Sequence, residues 1–221
     1  MSTNSGGENV TRDRAPLSDR LSPADIDGVL IYGPAMSGKR TLALDLLVRG
    51  VVETDGRALC VSTTDSAEAA RAALDSRMPD AAEAPGPVVI DATPSPGVGV
   101  DSPADLTGIA KSLSEAYDDS RRSERLGSRT LVDNIATLLL YTDIEAVYRF
   151  LHALRARVAE AGGATIATLD TDGIEPGERR AVVGLFETAV EVREQASGFE
   201  YRLRRDDDDA WHVYDVPLEV R

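Results

Sequence analysis

The sequence predicts an α/β domain: a mostly parallel central sheet flanked by helices, with an antiparallel edge supplied by its C-terminal third. Three observations carry that prediction. From Asp27 onward, short apolar runs alternate with longer stretches of helical period. The first of these junctions is rich in glycine and opens a helix. Hydrophobic residues make up 42% of the chain and aromatics only 5%, so the core must be built from Ala, Val, Leu and Ile. The 221 residues fit one such domain plus a tail better than two full domains.

Residues 1–22 are rich in Ser, Gly, Asp and Arg without sustained periodicity, which predicts a disordered polar leader before a folded domain over 23–221. Val29 to Tyr32 is the first strand, Thr41 to Val51 the first helix, Ala58 to Ser62 the second strand and Ser66 to Met78 the second helix. A third strand, Val88 to Asp91, leads through a Pro/Gly loop from Thr93 to Pro103 into a helix from Ala104 to about Arg125. Thr130 to Asp133 is a fourth strand. Ile144, Val147, Tyr148, Leu151, Leu154 and Val158 then fall three or four apart, the stripe of a helix lying on a sheet that ends at Gly162-Gly163. After the strand Ala164 to Leu169, the segments Val183 to Arg193, Phe199 to Arg205 and Trp211 to Val216 predict an antiparallel series. Its turns fall at Gln195 to Gly198 and Asp206 to Asp209.

The charge balance excludes several classes. A net charge of −14, with only Lys39 and Lys111 as lysines among 24 basic residues, resembles the acidic, lysine-poor proteins of salt-accumulating halophilic archaea. In molar salt the Debye length falls to about 3 Å, so the surface acid serves solvation rather than recognition. No aromatic-basic stripe is present, which argues against nucleic acid as a partner. No run approaches the roughly 18 apolar residues of a membrane span, and the N-terminus lacks an apolar secretory core, so a soluble, cytoplasmic protein is expected. The single Cys60 excludes an internal disulfide and a cysteine metal cluster.

Chemistry concentrates at Gly33-Pro34-Ala35-Met36-Ser37-Gly38-Lys39. A strand breaks into glycine, four residues intervene, and Gly-Lys opens a helix, which is the frame of a phosphate-binding loop. The glycines let the backbone curl so that N–H groups point inward, the helix N-terminus adds partial positive charge, and Lys39 reaches the terminal phosphates. The frame then departs from its usual ending. Where a Ser or Thr hydroxyl would ligate Mg²⁺, this chain has Arg40, and Thr41 comes one residue, about 100° of helix, too late. Arg40 either brings a cation to that vertex or swings out to solvent.

With these residues the chain resembles the RecA/KaiC-like branch of P-loop ATPases, as a haloarchaeal single-domain KaiC-like protein. The likeness rests on Gly33 to Thr41, on Thr130-Leu131-Val132-Asp133-Asn134 as the second acidic motif, and on Gly163 to Thr168 as the following strand. It implies a RecA-like P-loop domain that binds ATP. It also implies a sheet with one strand between the phosphate-loop strand and the acidic strand, and assembly into rings or filaments. By the same resemblance Asp133 would hold Mg²⁺ through water. Asp91 also ends an apolar strand but is read as a loop residue. Where relatives carry glutamates after the second strand to orient water, this chain has Thr64 and Asp65. Asp65 is thus either a short catalytic base or the N-cap of the helix that follows.

The eroded metal and base positions predict slow or absent hydrolysis with nucleotide binding retained. The expected role is a regulatory or signalling switch acting on a protein partner or on further copies of the chain. A pseudo-ATPase scaffold that binds a regulatory partner without nucleotide is the alternative, and a DNA-associated recombinase-like ATPase, supported by family analogy alone, is a weaker one. His152 and His212 are read as structural, Asp206 to Asp209 as a solvated turn, and Arg121-Arg122 and Arg204-Arg205 as surface ion-pairing residues rather than arginine fingers. Trp211 and Tyr214 are expected to pack the C-terminal sheet edge.

Overall fold

The computed structural model describes residues 10–11, 17–21, 27–78, 86–95, 100–123, 127–195, 198–204 and 210–214. The elements in chain order are β1 (Val10–Thr11), α1 (Leu17–Arg20), β2 (Gly28–Gly33), α2 (Lys39–Thr54), β3 (Ala58–Ser62), α3 (Ala67–Asp75), β4 (Val88–Asp91) and α4 (Leu106–Arg122). They continue with β5 (Arg129–Asp133), α5 (Ile135–Tyr141), α6 (Ile144–Glu160), β6 (Ala164–Asp170), α7 (Pro176–Val183), β7 (Thr188–Gln195), β8 (Gly198–Leu203) and β9 (Trp211–Tyr214). All the described strands join one sheet in the order β1-β9-β8-β7-β2-β6-β5-β3-β4. From β7 to β4 every neighbouring pair is parallel. β8 is antiparallel to β7 and β9, and β1 pairs parallel with β9. The architecture is therefore α/β, with a mostly parallel sheet flanked by helices and an antiparallel edge.

The apolar runs are continuous because the parallel strands are buried on both faces. Successive strand side chains point to opposite sides. Leu30 and Tyr32 of β2 accordingly join the core beneath α4, α5, α6 and α7, while Val29 and Ile31 join the core beneath α2. β3 divides the same way, Leu59 and Val61 to the first core, Ala58 and Cys60 to the second. Gly33 ends β2 against β7, where an added Cβ would run into the Val192 carbonyl, so only glycine lets the chain turn there.

Three expectations are corrected. The leader expected to be disordered contributes β1 and α1 from its described residues, and Leu17 and Leu21 are 99% buried in the α2 core. Each such side chain is worth about 1.5–3 kcal/mol of burial, which offsets part of the cost of ordering one helical turn. Val183 does not begin a strand but ends α7, which Pro176 and a reciprocal capping box between Glu175 and Glu178 nucleate. Residues 184–187 then lead into β7, which is parallel to its other neighbour, β2, so the antiparallel series begins only with β8. The expected turn at 206–209, the strand beyond Tyr214 and part of the 93–103 loop lie outside the described residues.

Candidate functional site

Parallel strands deliver their C-terminal ends to one rim of the sheet, where ligand crevices of such folds form. Here β2, β6, β5 and β3 bring Gly33, Asp170, Asp133 and the Ser62–Asp65 turn together. The Gly33–Gly38 loop curls through two left-handed residues, Met36 at φ 59° and Gly38 at φ 78°. Gly38 is also the N-cap of α2. It offers no side chain to the first-turn N–H groups, and that turn carries no acidic residue. Ser37 is buried, and its Oγ has no hydrogen-bond partner among the described residues. Met36 is the most exposed large apolar residue among those described, at 88%.

Both cations following the loop are engaged by carboxylates. Lys39 is only 5% exposed; its Nζ donates to the Pro34 carbonyl at 2.6 Å and forms an ion pair with Asp170. Arg40 turns inward rather than out to solvent. Its Nε donates to Asp133 Oδ2 at 2.7 Å, and its terminal nitrogen pairs with Asp65. The other Asp133 oxygen accepts from Thr168 Oγ1 at 2.6 Å. Burial pushes the Asp133 carboxyl above its ordinary range, against the opposing pull of Thr168 and Arg40.

A second layer fixes these groups. Thr63 clasps the cis Asp133–Asn134 peptide: its N–H donates to the Asp133 carbonyl at 2.7 Å, and its Oγ1 accepts from Asn134 N–H at 2.7 Å. Asn134 Oδ1 accepts from Ala136 N–H at 3.0 Å, capping α5, while its Nδ2 donates to Asp170 Oδ2 at 2.7 Å. Ala35 N–H donates to Asp172 Oδ2 at 2.8 Å, tying the loop to the turn after β6.

Among the predicted site residues, Gly33 to Arg40, Asp65 and Asp133 therefore converge, with Thr41 one position along the α2 first turn. Asp65 does not cap α3. Ser66 does, accepting from Ala69 N–H, and Ser62 Oγ holds the Asp65 carbonyl so that the Asp65 side chain faces Arg40. Asp91 stands apart: it accepts from Thr93 and from Ala67 N–H, and although burial opposes it, those bonds hold its carboxyl below the ordinary range. The sequence reading missed Asp170, Asp172, Thr168 and Thr63. Asp170 carried a usable signal, since it is a third acid directly ending an apolar parallel strand.

The donor set does not fit the Mg²⁺ that the resemblance implies. One Asp133 oxygen is held by Arg40 and the other by Thr168, and no cluster of three metal-ligating side chains exists among the described residues. Elsewhere, His212 is buried against the Tyr201 ring at 5.4 Å, and His152 is exposed on α6. Arg193 and Arg202 lie over the Trp211 ring at 3.8 and 4.7 Å, and Tyr214 OH donates to Asp45 of α2 at 2.9 Å, so both aromatics pack the sheet edge. Arg122 pairs with Asp119 on the α4 surface. Arg205 lies outside the described residues.

Fold and site define an α/β protein with a glycine loop feeding a helix N-terminus at the carboxyl rim of a parallel sheet. Residues 27–192 match the family described as a family of unknown function (DUF7504), and the chain belongs to it. None of the curated proteins matches the chain. No helix among the described residues is long and apolar enough to cross a membrane.

Proposed function

We propose that this chain is a RecA/KaiC-like P-loop domain that binds ATP and acts as a regulatory switch without appreciable hydrolysis. The observation that carries the reading is the Gly33–Lys39 loop itself: two left-handed residues, a buried and unpaired Ser37 hydroxyl, and a helix N-terminus that no side chain caps. The sheet order adds support, since β6 lies between the loop strand β2 and the acidic strand β5, the arrangement the family resemblance implies. Hydrolysis is disfavoured because Asp65, the one candidate base, is neutralised by Arg40. An arriving phosphate competes with Asp170 for Lys39. The displaced carboxylate is bonded to Asn134, and so the event is transmitted to the start of α5.

A second reading has its own observation. Lys39 and Arg40 each already hold a carboxylate, which suits a pseudo-ATPase scaffold that needs no nucleotide. Calorimetry with ATP, ADP and GTP in multimolar KCl separates the two. The switch requires ATP binding by the parent and its loss in Lys39→Ala. An absence of binding to every nucleotide leaves the scaffold and directs the search to protein partners.

A further inference from the structure

Arg40 stands at the vertex where this kind of loop normally supplies a metal-ligating hydroxyl, and it does not leave that vertex vacant. Its guanidinium spans Asp133, which ends β5, and Asp65 in the turn after β3, two carboxylates that would otherwise face each other uncompensated. A guanidinium donates from several nitrogens in a fixed plane, so one side chain serves both acids. It is also covalently tethered. A dissolved divalent ion would have to shed tightly held water and displace a cation whose local concentration is set by one side chain's reach.

We infer that Arg40 is the resident cation of this site, a tethered guanidinium in place of the divalent ion, and that the loop takes a metal-free nucleoside polyphosphate rather than its magnesium chelate. The second half rests on the nucleotide-binding reading above; the first half does not. Lys39 and the α2 N-terminus then supply the positive field for the phosphates, while Arg40 keeps Asp133 and Asp65 from repelling them. Asp133 becomes the anchor of Arg40, through the oxygen that Thr168 does not occupy.

Two measurements in multimolar KCl test this, one with nucleotide and one without. In the first, ATP affinity of the parent is compared in excess EDTA and in excess Mg²⁺. The inference expects ATP to bind several-fold more tightly in EDTA than in excess Mg²⁺, which withdraws free nucleotide as its chelate, and equal or weaker affinity in EDTA overturns it. In the second, thermal unfolding is followed with and without MnCl₂ for the parent, Arg40→Thr, Arg40→Lys and Arg40→Thr/Asp133→Asn. Arg40→Thr should unfold at lower temperature and regain several degrees with Mn²⁺. Parent and Arg40→Lys should respond little, and the double variant should lose the Mn²⁺ gain. Equal Mn²⁺ responses in parent and Arg40→Thr overturn the resident-cation assignment even if ATP binds. If no nucleotide binds to the parent under either condition, the metal-free ligand falls together with the nucleotide reading, while the Mn²⁺ series still decides whether Arg40 is the cation.

Discussion

Cys60 reports on the site from behind. It sits in β3, one strand from Asp133, 3% exposed, and burial pushes its thiol up to about 12, with the Asp133 charge adding in the same direction. A thiol whose folded pKa is raised favours folding below its unfolded value of about 8.5. That contribution fades as pH climbs from there through about 12, because the unfolded chain ionises first. At pH 8 a thiol reagent should therefore modify Cys60 only through opening of the structure, at a rate that rises with denaturant. Prompt stoichiometric labelling of the native protein would contradict the buried strand. At this scale the loop and Asp133 were readable, because strand-to-glycine and strand-to-acid junctions are local patterns. The direction of Arg40 was not. A helical position fixes where a side chain starts, and only Asp65 and Asp133, 25 and 93 positions away, decide where it ends.

Among elements, β5, β6 and α5 meet at a single residue. Asn134 caps α5 with one atom and holds Asp170 with another, so the Lys39–Asp170 pair and the start of α5 share a residue. On the proposed nucleotide-binding reading, Asp170→Asn removes the carboxylate that holds Lys39, and ATP should bind several-fold more tightly in calorimetry. Weaker binding would mean that Asp170 assists the ligand rather than standing in its way. Asn134→Ala should cost about 1 kcal/mol through the lost cap, read from denaturant midpoints. The long elements were legible from periodicity, whereas α5 and α7 were not. Seven and eight residues give too few turns to show a stripe, and the Pro176-Gly177 pair reads as a loop unless the flanking glutamates are recognised as a capping box.

On the scale of the whole molecule, a net charge of −14 works against compaction, and the short N-terminal elements add apolar burial against it. Leu17→Ala should destabilise by about 2–5 kcal/mol, and the loss should be most damaging at low KCl, where acidic repulsion is least screened. Chemical unfolding of parent and variant across a KCl series measures this. A change below about 0.5 kcal/mol would remove α1 from the core. This part of the fold was illegible because Leu17 and Leu21 are a single i, i+4 pair within a polar stretch, too short a pattern to distinguish from chance. Of the sheet order, only the single strand between the loop strand and the acidic strand was expected, and that expectation came from the family resemblance rather than from the alternation of runs.

The scarcity of lysine has a practical consequence for the loop. Lys111 stands 77% exposed on α4, while the Lys39 side chain is 7% exposed and shut behind Asp170. An amine-directed reagent thus meets one open lysine and one closed one, apart from the chain's amino terminus. Mass spectrometry of the modified peptides becomes a two-channel recorder, with Lys111 as the constant reference and Lys39 as the reading of whether its pairing with Asp170 holds.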